Sequence, residues 1–400
     1  MTFGDDMSTS SQTADLLERA TALIPELSQR AAEAEKLRRV PDANVAALKR
    51  AGLLKVLQAR RYGGHQLSLH AHIDTVATIA RGCGSTAWCM GVVHAHSWLM
   101  GSFPQAAQEE TYGTDPDTFI SAVIAPRGEA KPADGGYVLN GFWPFASGCQ
   151  HAHFLLLGAR ILDAGGAVVD EADLLVPAKD ITINDDWNVA GLRGTGSCSV
   201  VAKNAFVPRH RILSLPGLVE GKAPGVVLHD GAALYKSAAV PVLQLALAPG
   251  AIGIAEAALD AFHDRLPGRI IAYTLGEKQI ESATTHRQLA DAATRARVAR
   301  LLLHRAVDDI EAAANAGATM APRDRARIRM DCAHAVRQCL EAVDTLFIAC
   351  GGSGLAESNP IQRAWRDLHA INMHGALALE VNQEMFGRML LGLPPNTTLI

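Results

Sequence analysis

The feature that most constrains the fold is a change of hydrophobic period, made twice along the chain. From Ala14 to about Gln105 apolar residues return every three or four positions, as Leu16, Leu17, Ala20, Leu23, Ile24 and Leu27 do. That spacing gathers them on one side of a helix. Between about Thr118 and Leu213 the texture shortens to FISAVI, GGYVLNGFWPF, HFLLLGA, ADLLVP, ITIN and CSVVAKNAFVP, separated by Gly, Pro, Asp and Asn, which reads as strands and turns. From Gly225 long Ala-rich helical stretches return, one carrying the stripe Val336, Leu340, Val343, Phe347 and Cys350. This order predicts an α+β fold in three parts: a helical domain over 1–117, a β-barrel or sandwich over 118–213 and a helical domain over 214–400. No internal repeat or low-complexity linker divides them, so they are expected to pack as one unit.

Local signals refine the helices. Pro41 and Asp42 open one that stops at Gly52, and Ser68 and Ser85 are placed to cap the next two. The polar start, MTFGDDMSTSSQ, has no apolar signal region and is expected to fray. With 37 basic against 41 acidic residues, a net charge of -4 and no basic block, the chain offers neither a nucleic-acid surface nor an electrostatic membrane anchor. Its seven cysteines form no CxxC pair, so no zinc ribbon is suggested and no metal site is expected. Reduced thiols, together with the lack of a run of about 18 apolar residues, predict a cytoplasmic protein.

The stretch NGFWPFASGCQH, residues 140–151, breaks the usual strand pattern. Flat side chains at Phe142, Trp143 and Phe145 precede the small hydroxyl of Ser147 and the hinge of Gly148. They read either as sheet-packing aromatics beside a turn serine or as a wall for a flat ring. His94 and His96 lie about 200° apart around a helix, so they cannot share one pocket. His96 sits beside Val92 and Val93, either as a packing histidine or as a group that binds or deprotonates a phenol.

Several motifs in fixed order carry a likeness: Ala87-Trp88, His96-Ser97-Trp98, WPFASG at 143–148, GLRGTGS at 191–197, GGSGLAES from Gly351 and Arg366-Asp367 followed by His374. Together they resemble the acyl-CoA dehydrogenase superfamily over nearly the whole chain, and within it the two-component flavin-dependent monooxygenases. The resemblance implies a helical domain, a central β domain and a C-terminal four-helix bundle. It also implies an oxygenase component that takes reduced FMN or FAD and O2, forms a C4a-hydroperoxyflavin and hydroxylates a small phenolic or related aromatic substrate. By the same likeness His374, His96 and Ser147 are the expected catalytic residues. Trp143, Phe145, Ser147, Gly148, Arg193, Thr195, Gly196, Ser197, Gly351 and Gly352 are expected at the cofactor. His96, Trp98 and Ser121 are expected at the substrate.

The glycine-rich stretches complete no GxGxxG between a strand and a helix, so the flavin is expected to arrive reduced from a separate NAD(P)H-dependent reductase. The position where many dehydrogenases of the superfamily carry a catalytic Glu is Gly375. Acyl-CoA dehydrogenase or oxidase chemistry, oxygenation at nitrogen or sulfur, and a silent scaffold are the competing readings. YTLGEKQIESATTH, residues 273–286, lacks the Arg before Phe-Gly that grips an adenylate, so FMN and FAD both stay open. A homotetramer is carried over from the family, and residues 213–235 are expected to form the pocket rim.

Overall fold

The computed structural model describes residues 3–397 and 399–400. Its first part is helical: α1 (Phe3–Gln29), α2 (Ala31–Leu37), α3 (Asp42–Arg50), α4 (Leu69–Ala80), α5 (Gly84–Met100) and α6 (Gln105–Tyr112). Local chemistry sets the ends. Pro41 leads into α3, and Gly52 follows it at φ 72°, a left-handed geometry that glycine adopts without strain. Ser68 caps α4 by accepting the N–H of Ala71. Two expectations are corrected. The chain is helical from Phe3, with Met1 and Thr2 outside the described residues. Cys83 rather than Ser85 precedes α5, and the Ser85 hydroxyl instead accepts the N–H of Gly194 at 3.2 Å.

Seven strands follow: β1 (Ile120–Ala133), β2 (Gly136–Ala146), β3 (Phe154–Leu162), β4 (Val168–Pro177), β5 (Thr182–Ile183), β6 (Cys198–Pro208) and β7 (Ile212–Ser214). They form one sheet in the order β5-β6-β2-β1-β3-β4-β7, with β1 and β3 parallel. Side chains alternate along a strand, and Leu139, Trp143, Leu155, Leu157, Leu174 and Val200 meet in a separate core of the sheet. Trp143 is fully buried there and donates its indole N–H to the Gly158 carbonyl at 2.8 Å. A Cβ on Gly128 or Gly141 would stand 2.3 or 2.5 Å from its ring, so these two glycines make room for it. Trp143 is therefore a core residue, and the expectation that it meets a cofactor is corrected.

The third part holds the short helices α7 (Leu215–Val219), α8 (Ala233–Lys236) and α9 (Ala239–Leu245). Longer ones follow: α10 (Pro249–Arg265), α11 (Ala283–Asn315), α12 (Pro322–Ala349), α13 (Pro360–Asn372) and α14 (Leu379–Leu390). Helices α10 to α13 pack on one another, with Val336, Leu340, Val343 and Cys350 buried along α12. Residues 239–265 are long and apolar enough to cross a membrane, but 72% of their most apolar window is buried inside the protein. They serve as core. All 17 residues of α5 are buried because α4, α10, α13 and β1 surround it. That helix brings the three parts to one cavity.

Candidate active site

A cavity of about 430 Å³ lies between α5, β1, the end of β2, α9 and the turn after α13. Val92, Ala95, Val240, Leu243, Leu247 and Leu399 give it apolar walls. Its polar lining is Trp88, His96, Arg127, Ser147, Gln244, Arg329, His374 and Thr397, with no Asp or Glu among the described residues. The β1–β3 ladder breaks between Val123 and Gly128, and Ile124, Ala125 and Arg127 of that bulge face the cavity.

His96 donates from Nδ1 to the carbonyl of Ile120 at 2.8 Å. A carbonyl only accepts, so Nδ1 carries the proton and Nε2 keeps a lone pair. Burial lowers the pKa of His96 to about 4. The ring is thus neutral at pH 7. His96 can orient and polarise a phenol by accepting its O–H at Nε2.

His374 has the opposite character. Its Nδ1 accepts the N–H of Ala376 at 3.3 Å, which leaves the proton of the neutral ring on Nε2. His374 is exposed where it borders the open cavity, and desolvation by the protein around its ring lowers its pKa to about 4. It lies 5.5 Å from the Trp88 ring, centroid to centroid. Asn382 on α14 holds the turn by donating to the carbonyls of Ala376 and Ala378 at 3.0 and 2.8 Å. Its own carbonyl accepts the amide of Gln244 at 3.3 Å.

Ser147 lines the cavity where β2 ends. Its hydroxyl accepts the indole N–H of Trp88 at 3.0 Å and shares a hydrogen bond with Ser197 Oγ at 2.7 Å. Two residues earlier, Phe145 stands at φ 68° with 66% of its surface exposed, its ring edge-on to Trp187 at 6.2 Å. Such a backbone costs a bulky residue about 1–3 kcal/mol and persists where its surroundings enforce it. Here it turns a flat apolar ring out of the sheet and onto the cavity.

Other expected residues stand behind the wall and do not line it. Arg193, Thr195, Gly196 and Ser197 form the turn that backs Ser147, and Gly148 ties it to β2 by donating its N–H to the Thr195 carbonyl at 2.9 Å. Asp367 fixes the approach to that turn by accepting the Leu192 N–H at 2.6 Å, while Arg366 holds the Ala190 carbonyl at 2.9 Å. A Cβ at Gly191 would lie 1.9 Å from the Arg366 carbonyl oxygen, which explains the glycine opening that motif. Ser121 is fully buried and spends its hydroxyl on the Ser147 carbonyl at 2.9 Å, so it braces Ser147 and does not face a substrate.

Trp98 is corrected as well. It is buried, donates to the Leu234 carbonyl at 2.8 Å and borders a different cavity of about 240 Å³. Leu218, Val219, Ala223, Val226 and Tyr235 line that second cavity, so the 213–235 segment does not rim the site; α9 does. Gly351 and Gly352 are exposed at the end of α12, away from the cavity lining. Trp187, Gln244, Arg329 and Asn382 had no sequence signal, because isolated polar or aromatic residues on a loop or helix acquire meaning only through what they touch.

Comparison with known proteins bears on this arrangement. The acyl-CoA dehydrogenase N-terminal domain family matches residues 14–115, and the acyl-CoA dehydrogenase C-terminal domain family matches residues 245–378. The chain is 36% identical over 384 residues to the flavin-dependent monooxygenase oxygenase subunit HsaA of Rhodococcus jostii (strain RHA1), covering 96% of this chain and 100% of the relative. It is 30% identical to the oxygenase component of p-hydroxyphenylacetate 3-hydroxylase from Acinetobacter baumannii, covering 96% and 91%. The structure of XiaF from Streptomyces sp., in complex with FADH2 and glycerol, superposes with a TM-score of 0.92 at 32% identity, covering 98% of each chain. The chain belongs to the flavin-dependent monooxygenases built on the acyl-CoA dehydrogenase fold, among their oxygenase subunits.

Proposed function

We propose that this oxygenase places one oxygen atom from O2 on the ring of a small phenol, using reduced FMN or FAD made by a separate NAD(P)H-dependent reductase. The observation that carries the reading is the pairing of His96 and His374 on one apolar cavity: a bare imidazole nitrogen on one ring and an imidazole N–H on the other. A phenol that donates to His96 Nε2 becomes richer in electrons at the ring carbons. His374 Nε2–H can hydrogen-bond to an oxygen between the substrate and the flavin.

The residues present fit a flat heteroaromatic cofactor. Phe145 offers an exposed ring, Ser147 a hydroxyl, and the β1 bulge backbone groups outside the ladder. Bound reduced flavin supplies the activation of O2. The protein's part is to keep water out with Val92, Leu243, Leu247 and Leu399 and to position two neutral imidazoles. Gly351 and Gly352 are proposed at the flavin's tail across a subunit interface, in a cytoplasmic homotetramer. Dehydrogenation fits less well, since it needs a carboxylate base and none lines the cavity among the described residues.

The test supplies reduced FMN or FAD from a generic reductase to a panel of phenols and measures hydroxylated product per O2 consumed. His96→Asn keeps a donor for the Ile120 carbonyl but removes the ring acceptor. It should lower product formation by about 10²-fold while flavin still binds. Hydroxylation unchanged in that variant, or no phenol oxidised by the wild type, counts against the reading.

A further inference from the structure

We infer that Thr195, which does not touch the cavity, is a positioning residue that lets Ser147 act as a hydrogen-bond acceptor toward it, and so favours the reduced form of the flavin. The inference rests on the flavin reading above. Its basis is a row of bonds with fixed ends. The Trp88 indole N–H can only donate, and it occupies one lone pair of Ser147 Oγ at 3.0 Å. At the other end the Leu192 carbonyl can only accept, and the Thr195 hydroxyl reaches it at 3.0 Å. Between them Ser147 and Ser197 are 2.7 Å apart, and so are Ser197 and Thr195.

Each hydroxyl has one hydrogen to give. If Ser147 gives its hydrogen to Ser197, then Ser197 gives to Thr195 and Thr195 to Leu192, and every hydrogen has a destination inside the protein. Ser147 then turns a lone pair to the cavity. If the row runs the other way, Ser147 turns its hydrogen there instead. Thr195 is fully buried and Ser197 nearly so, so a hydroxyl hydrogen without a partner costs free energy in this place. The inward direction depends on Thr195 as the last acceptor before the carbonyl.

Leu192 is a firm anchor for the row. Its carbonyl also receives the Trp187 indole N–H and the Thr195 backbone N–H, both at 3.1 Å, and its own N–H is held by Asp367 at 2.6 Å. The reduced isoalloxazine carries an N–H in its central ring where the oxidised form has a bare nitrogen. An accepting Ser147 therefore suits the reduced ring and a donating Ser147 suits the oxidised one. Removing the Thr195 hydroxyl leaves Ser147 as the only described acceptor for the Ser197 hydrogen, which forces the row outward.

The experiment measures dissociation constants of FMN and FAD for the full-length protein, oxidised in air and reduced under anaerobic conditions. The readout is the ratio of the two, so a change that merely loosens the fold moves both constants together. Wild type should bind the reduced form more tightly. Thr195→Val should weaken reduced-flavin binding by about tenfold, the worth of one net hydrogen bond, and leave oxidised-flavin binding equal or tighter. Thr195→Ser should restore the wild-type ratio, and Ser197→Ala, which cuts the row one step nearer, should repeat the effect of Thr195→Val. A ratio unmoved by both Thr195→Val and Ser197→Ala overturns the inference while leaving the flavin reading intact. A wild type that binds neither form overturns both.

Discussion

His94 and His96 stand two positions apart on α5 and point into different worlds. His94 meets His72 through their Nδ1 atoms at 2.9 Å and reaches the Leu53 carbonyl through Nε2 at 2.5 Å. His96 bonds to the Ile120 carbonyl and opens on the cavity. One packs the helical layer; the other lines the cavity.

Both rings carry a consequence for stability. Burial lowers each from 6.5 to about 4, so below pH 6.5 the unfolded chain gains protons that the folded chain refuses. Stability is full above that pH and falls as pH drops toward 4, by on the order of 3 kcal/mol per histidine. Asp367 acts in the opposite sense. Burial raises its carboxyl from 3.8 to about 6, so its contribution is present at low pH and lost as pH rises through that range. His72 and His374 are lowered in the same sense as these rings and buried Asp173 is raised in the same sense as Asp367; the histidines outnumber the carboxyls, and denaturant midpoints should fall between pH 7 and pH 5. A midpoint that stays level across that interval contradicts the neutral, buried state of these rings.

Asn382 is the buried clamp on the His374 turn, holding two carbonyls and the amide of Gln244. Asn382→Leu has similar volume and none of the hydrogen bonds, and it should cost about 1–3 kcal/mol. It should also raise the share of O2 released as hydrogen peroxide, because His374 loses its fixed place. Peroxide yield is the deciding measurement. A destabilised variant with an unchanged yield would show that the clamp supports the fold alone.

Gly128 faces Trp143 with no spare room, since a Cβ there would sit 2.3 Å from Cζ2 of the indole. Gly128→Ala should destabilise by about 1–3 kcal/mol through overpacking. Combined with Trp143→Phe, part of that cost should disappear, because the smaller ring vacates the contested space. Chemical denaturation of the two single variants and the double variant tests this; strictly additive losses would refute the contact.

The sheet shows how a strand pattern can mislead. Phe142, Trp143 and Phe145 are adjacent and similar in the sequence, yet only Phe145 reaches the cavity. Period-two alternation sends Trp143 inward, and a left-handed backbone at Phe145 reverses the side its ring would otherwise take. Composition carries no trace of that dihedral. The Arg366-Asp367 pair was legible as a motif, but its task, gripping the 190–192 loop, appears only when α13 meets the turn after β5.

By itself the amino-acid order determined the α, β, α succession, because hydrophobic period is a local property that burial then rewards. It also marked Ser147, His96 and His374, whose neighbours along the chain are distinctive. Tertiary structure alone decided which nitrogen of His96 holds its proton, that burial keeps that ring neutral, and that α9 rather than residues 213–235 closes the cavity. The His96 tautomer depends on the Ile120 carbonyl 24 residues on, and the cavity wall on α9, far from α5 in the chain, and no local pattern encodes a partner brought in by packing.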